Sequence, residues 1–234
     1  MEQRPQRGRP SGFADLMRPG ERLAALIYLP VHVFAMPLLL LPLLWRACPG
    51  MSTVDLNLAY YCIGFAFVFI SCRRFLRAGF DRALDAPGAF FVSVFGAYAL
   101  QFALSLVFSA VIYLLLPEGL SSPNNEAIEA MIPQGLNKLV AISVFLGPIV
   151  EEVLFRGLIY GALRRRSRAL AWAVSIAAFS LYHVWQFALT EPLMLVTAVL
   201  YIPASAALNW SYERSGSIWA PIAFHMLTNA IGLA

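Results

Sequence analysis

Charge is what this chain has least of. Only 13% of its 234 residues are Asp, Glu, Lys or Arg, about half the share of an ordinary soluble domain. Of the 17 basic residues only Lys138 is a lysine. Sixty per cent of the residues are hydrophobic and the mean hydropathy is +0.70. A soluble core cannot absorb that much apolar surface. The composition therefore predicts an all-α, polytopic transmembrane helical bundle.

Other absences narrow the reading. The three cysteines, Cys48, Cys62 and Cys72, show no CxxC or metal-ligand spacing, so neither a disulfide framework nor a zinc ribbon is expected. No HExxH occurs, which removes the usual zincin geometry. No small-residue cleavage site follows a short apolar run, so no removed signal peptide is expected. No internal repeat is visible, and no two broken helices occupy matching positions, which argues against a repeat-built transporter. The net charge of +4 could suggest nucleic acid. The arginines sit beside apolar runs, however, and the expected partner is anionic membrane lipid rather than nucleic acid.

The Arg-, Pro-, Gly- and Gln-rich stretch 1–20 reads as a disordered cytoplasmic tail. Residues 21–234 read as one transmembrane domain. Seven spans are predicted, near 23–45, 56–72, 89–116, 136–163, 169–190, 193–212 and 217–234. Arginine placement orients them. With the N-terminus in the cytoplasm, Arg73, Arg74, Arg77 and Arg82, then Arg164, Arg165, Arg166 and Arg168, and then Arg214 all fall inside. Only Arg46 and Lys138 remain outside. The outer loop, expected over 117–135, carries Glu118, Glu126 and Glu129 without a basic residue. This is the positive-inside pattern, and the expected location is a bacterial inner membrane.

Against that apolar background three clusters stand out. The first is Glu151-Glu152-x-x-x-Arg156 in the fourth span. A carboxylate at bilayer depth costs roughly 2.5–3.5 kcal/mol on insertion scales, and a passive span does not carry two in succession. Glu152 and Arg156 share a helix face four residues apart and can pair. Glu151 points about a quarter turn away, free to face a cavity as a general base. The second is Phe179-x-x-x-His183, with His183 expected midway along the fifth span. The third is His225-x-x-x-Asn229 in the seventh, where an imidazole and a carboxamide on one stripe can both donate to one oxygen, as an oxyanion hole requires. His32, the remaining histidine, receives no role. Gln186, nearly a turn beyond His183, is a weaker candidate for the same cavity.

These three motifs, in this order on successive late spans, resemble the CPBP family of intramembrane proteases, also called the CAAX protease and bacteriocin-processing, or Abi, family. The resemblance covers about residues 147–229. The family is described with eight spans, one more than the seven counted here. The resemblance implies that Glu151 activates water, that His183 assists it, that His225 and Asn229 form the oxyanion hole, and that Glu152 and Arg156 support them. It implies a glutamic-type endopeptidase acting on a membrane-associated peptide or protein, with prenylated and leader-type substrates both within its range. No cofactor is expected. The zinc-dependent alternative would use Glu151, His183 and His225 as ligands, since two histidines and a glutamate are also a catalytic zinc set. The other alternative is a transporter or proton relay built on the same Glu, His and Arg groups. Hydrolysis also needs a wet cavity, expected here to open to the cytoplasm.

Overall fold

Short polar side chains start several of the helices. Ser52 accepts from the Asp55 amide while Asp55 returns a bond to the Ser52 amide, a reciprocal cap. Ser122 and Ser167 accept from the amides of Asn125 and Leu170 in the same way. The computed structural model describes residues 13–116 and 118–233. The helices are α1 (Pro19–Ala47), α2 (Thr53–Ser71), α3 (Arg73–Asp85), α4 (Pro87–Leu115), α5 (Pro123–Val140), α6 (141–164), α7 (Arg168–Tyr182), α8 (Trp185–Ala188), α9 (Pro192–Ser215) and α10 (Trp219–Gly232). No strand occurs among the described residues, and the architecture is the all-α bundle that composition predicts.

By length and composition four of these, α1, α2, α4 and α9, can cross a membrane, and α7 is a shorter apolar helix. Their outward faces are apolar. On α4, Phe91, Phe95, Phe102, Leu106 and Val107 are all exposed, a surface that suits lipid and not water. The inward side of α4 packs on α9, where Gly96 lets the Trp210 ring approach. A Cβ at Gly96 would meet that ring at 2.7 Å.

Three segments differ from the sequence reading. The stretch 117–135, expected as a loop, is helical from Pro123, and α5 bends at Gly135, whose φ of 155° suits glycine. The arginine-rich stretch after α2 is not a loop either. It forms α3, whose first amides Arg74 and Phe75 are capped by the Glu21 carboxylate from α1 at 3.0 and 2.9 Å. Both segments have too many polar residues to register as spans, and that hid their helicity. The fifth span also ends early. α7 stops at Tyr182, a turn follows, and α8 is one turn long, so His183 caps a helix end rather than standing midway.

Residues 1–12 of the expected disordered tail lie outside the described residues. From Phe13 the chain is packed. The Phe13 ring meets Tyr160 and Tyr212 edge-on at 5.7 and 4.9 Å. Met17 is buried, and Asp15 pairs with Arg22.

Two ends of the bundle differ in charge. One end gathers Glu21, α3, the 164–168 turn and the 213–219 turn. There Arg164 and Arg168 pair with Glu213 at 2.7 and 2.9 Å, and Ser217 and Trp219 donate to the carbonyls of Gly79 and Leu76. The other end gathers the start of α2, the whole of α5 and the end of α10. There Lys138 pairs with Asp55 at 2.5 Å and Gln134 accepts from the Val54 amide.

Two stretches of wide, i→i+5 turns shape the interior. In α1 the Leu41 amide bonds to the Met36 carbonyl, five residues back. In α6 the Gly147 amide reaches the Ile142 carbonyl in the same way. In each case a proline sits in that register and has no N–H to give. Pro37 leaves the His32 carbonyl open, and the Tyr60 hydroxyl from α2 donates to it at 3.1 Å. Pro148 leaves the Ser143 carbonyl open, and the Asn229 amide from α10 donates to it at 2.8 Å. Each missing backbone bond becomes a bond between helices.

Candidate active site

The wide turn before Gly147 and another over Val153–Tyr160 flank the one α-helical turn that carries both glutamates. Gly147 is needed for the approach of neighbours. A Cβ there would lie 3.0 Å from the Ile142 carbonyl, 3.4 Å from the Tyr61 ring and 3.6 Å from Glu151.

Glu152 and Arg156 are fully buried and paired at 3.1 Å. Burial of a charge demands such compensation. Arg156 also donates to the hydroxyl and carbonyl of Ser205 on α9, at 2.9 and 3.3 Å. Its guanidinium lies 4.2 Å from the Phe179 ring centre. Phe179, on the motif's first position, thus faces a cation as well as a core. The oxygen of Glu152 that binds Arg156 also accepts from His225 Nδ1 at 2.9 Å. Glu152 thus holds a guanidinium and an imidazole on its Oε1, while its Oε2 is buried without a hydrogen-bond partner among the described residues.

Glu151 is arranged differently. Its Oε1 accepts from the Tyr61 hydroxyl at 2.9 Å. Its Oε2 faces two imidazole nitrogens, His183 Nε2 at 4.0 Å and His225 Nε2 at 3.9 Å. His183 donates its Nδ1–H to the Phe179 carbonyl at 2.9 Å and stacks on Tyr201, ring centres 4.5 Å apart. Both rings are thus anchored through Nδ1 and aim Nε2 at one carboxylate oxygen. Five of the residues marked from sequence, Glu151, Glu152, Arg156, His183 and His225, meet here. Asn229 lies one turn beyond His225 and lines the same space, its amide partly committed to Ser143.

That space is a cavity of about 940 Å³, bordered by Glu151, His183, His225, Asn229, Tyr61 and Gln186 among others. Among the described residues no group of three or more His, Cys, Asp or Glu is placed to hold a metal ion.

Several contributors were not marked from sequence. Tyr61 opens a chain of phenols, because its hydroxyl lies 3.3 Å from that of Tyr182. Tyr182 lies 3.3 Å from His32 Nε2, and Tyr60 lies 2.9 Å from the same atom. His32, given no role on sequence, is thus held among phenols, with Tyr182 and Tyr61 and three hydrogen bonds between it and Glu151. Ser205 and Tyr201 carry no local signal, since a serine or tyrosine in an apolar helix is ordinary. Tyr60-Tyr61 was the available hint, two adjacent phenols inside a span.

Residues 133–231 match the family of type II CAAX prenyl endopeptidases described as Rce1-like. A Bacillus subtilis (strain 168) protein named "Putative membrane peptidase YdiL" is 33% identical over 112 residues. That match covers 47% of this chain and 42% of the relative's length. No solved structure matches. Residues 133–231, which contain every marked residue of the site, are thus similar to the CAAX prenyl endopeptidases.

Proposed function

We propose that this protein is a membrane-embedded endopeptidase in which Glu151 activates water for attack on a peptide carbonyl. The observation that carries the reading is the convergence of His183 Nε2 and His225 Nε2 on Glu151 Oε2 at about 4 Å, beside a cavity large enough for an extended peptide.

The spacing suits a water molecule. An oxygen about 2.8 Å from two atoms that lie 4.0 Å apart subtends an angle near 90°, within hydrogen-bonding range. A zinc ion with bonds of ~2.0–2.1 Å could span the same gap only in a nearly straight line. Two imidazoles cannot both stand opposite one carboxylate oxygen, so the geometry supports a water-based mechanism over the zinc-dependent alternative.

The two rings divide the work through their Nδ1 partners. A water has two hydrogens and cannot satisfy three acceptors, so one Nε2 must carry a hydrogen. His225 stands against both carboxylates, and with Glu151, Glu152 and Arg156 a second proton on its ring makes the cluster neutral. We assign that proton to His225, whose Nε2–H then points at the developing oxyanion. Asn229 keeps one amide hydrogen free of Ser143 for the same oxygen. His183 bonds a neutral carbonyl and leaves Nε2 as an acceptor. In the first step the water oxygen bonds to the scissile carbon and its proton passes to Glu151. In the second the C–N bond breaks, and the amine leaves with that proton, delivered by Glu151 directly or through His183.

The transporter or proton-relay reading has one point of support, the phenol chain from Glu151 through Tyr61 and Tyr182. That chain ends on His32, which is buried. Among the described residues it reaches neither end of the bundle, and the reading is the weaker for it. The decisive assay is cleavage of a fluorescence-quenched decapeptide library by the detergent-solubilised full chain. Glu151→Gln should lower the rate by about 10²–10⁴-fold, the usual worth of a general base. A wild-type protein without cleavage, or a Glu151→Gln variant that cleaves normally, would defeat the proposal.

A further inference from the structure

The cavity that holds Glu151 has a side. Its lining takes Thr53 and Asn57 from the start of α2, and Asn125, Ile128 and Glu129 from α5. Thr53, Asn125 and Glu129 are solvent-exposed while Glu151 is buried, so the cavity runs from that end of the bundle inward to the carboxylate. No residue from the arginine-bearing segments 18–22, 71–85, 164–168 or 213–219 borders it. These segments form the opposite end, as the contacts of Glu21 with α3, Arg164 with Glu213 and Ser217 with Gly79 establish.

The charges at the two ends are unequal. The closed end carries Arg18, Arg22, Arg73, Arg74, Arg77, Arg82, the four arginines of 164–168 and Arg214. The open end carries Arg46 and Lys138, the latter paired with Asp55, beside Glu118, Glu126, Glu129 and Glu191. Arginine flanks of membrane helices stay in the cytoplasm. Two independent observations, the wall of the cavity and the placement of arginine, therefore oppose the cytoplasmic opening expected from sequence.

We propose that the chamber is served from the extracytoplasmic face and that its substrates are exported or membrane-anchored polypeptides whose cleaved stretch emerges on that side. The inference rests on the endopeptidase reading for the word substrate, but not for the orientation. A prenylated C-terminus made in the cytosol would arrive at the closed, arginine-bearing end. A leader or an outward tail of a membrane protein arrives at the open one.

The test reads orientation and access separately. In a background with Cys48 and Cys62 replaced by serine, Asn125→Cys marks the open end and Arg77→Cys, also exposed, marks the other. A membrane-impermeant polyethylene-glycol maleimide is applied to spheroplasts and to inverted membrane vesicles. The expected result is labelling at position 125 in spheroplasts only and at position 77 in inverted vesicles only. In detergent, the label at position 125 should remove most cleavage of the quenched decapeptides, and the label at position 77 should leave it intact. Labelling of position 125 from the cytoplasmic side would overturn the proposal. So would a label at position 77 that blocks cleavage while one at position 125 does not. Cys48, exposed on the open end in the natural chain, gives the same orientation readout in a Cys62→Ser protein if Asn125→Cys fails to fold. Absence of Glu151-dependent cleavage in the unlabelled protein would defeat the endopeptidase reading instead, and labelling would still report which way the cavity faces.

Discussion

Two buried clusters hold the three histidines of this chain, and they are built from opposite materials. His32 sits among neutral phenols, with Tyr60 and Tyr182 on Nε2 and Tyr28 within 3.4 Å of Nδ1. Both its nitrogens have partners, and no carboxylate faces it directly. His183 and His225 are each fixed at Nδ1 only, and each turns Nε2 toward Glu151. A histidine with both nitrogens occupied is structural. One anchored at a single nitrogen and aimed at a carboxylate across a water-sized gap is equipped for proton transfer. Tyr61 joins the two clusters by donating to Glu151 on one side and approaching Tyr182 on the other.

The largest effect should come from breaking the charged cluster at its base. Arg156→Ala leaves Glu152 buried with its guanidinium partner gone. Loss of one partner of a buried pair costs about 3–5 kcal/mol, enough to lower the melting temperature in detergent sharply and remove activity with it. Arg156→Lys keeps the charge but not the fork to Ser205, and should recover part of the stability. Equal melting temperatures for Arg156→Ala and wild type would mean that the pair is dispensable.

The next prediction separates the histidines. His183→Gln and His225→Gln should each reduce decapeptide cleavage by about 10²–10³-fold, the range for lost acid–base help or a lost oxyanion donor. His32→Gln should change cleavage severalfold at most and show itself in melting temperature, because hydrogen bonds between membrane helices average ~0.6 kcal/mol. Equal losses for His32 and His183 would erase the distinction between the clusters and promote the phenol network to a part of the reaction.

Tyr61→Phe tests the link. It removes one donor to a carboxylate, a bond worth about 1.5–3 kcal/mol to a charged group, so kcat should fall by about tenfold to a hundredfold while KM changes little. The side chain packs on, since the ring is kept. Gly147→Ala should disturb the same corner through the backbone, because the added Cβ would stand 3.0 Å from the Ile142 carbonyl. A Tyr61→Phe enzyme with unchanged kcat would leave Glu151 oriented by the imidazoles alone.

What could be read in the sequence follows from range. The Glu-Glu-x-x-x-Arg, Phe-x-x-x-His and His-x-x-x-Asn spacings are one-turn patterns, and a helix places such residues on one stripe whatever surrounds them. The pairing of Glu152 with Arg156 is visible for that reason. The bond from Tyr61 to Glu151 crosses 90 residues and that from Ser205 to Arg156 crosses 49, and no local pattern encodes either. In α3 and over 123–135 the charges outweigh the periodicity, so in sequence both stretches resemble loops. The apolar run continues to Ala188 after the helix has stopped, so the sequence alone puts His183 mid-helix. The end on which the cavity opens is hidden from the sequence for a related cause. Depth along a span can be counted from sequence, but which end of a bundle is packed shut depends on contacts such as Trp219 to Leu76.

The smallest effects should come from the two prolines, and they sharpen the comparison most finely. Pro37 and Pro148 do the same backbone work, each freeing a carbonyl that a side chain from another helix then claims. The recipients differ. At His32 the claimant is Tyr60, inside the neutral cluster. At Ser143 it is Asn229, whose other amide hydrogen faces the cavity. Pro37→Ala and Pro148→Ala each restore an N–H that can compete for the carbonyl, so each should change stability by only ~0.6 kcal/mol, the scale of one interhelical hydrogen bond. Activity should part them. Pro37→Ala leaves the donors to the oxyanion untouched and should cleave at the wild-type rate. Pro148→Ala loosens the tether that aims Asn229 and should lower kcat by a few-fold with KM held, a part of what full removal of an oxyanion donor costs. If the two substitutions slow cleavage equally, Asn229 is not aimed by its bond to Ser143, and the carboxamide holds helices together as Tyr60 does.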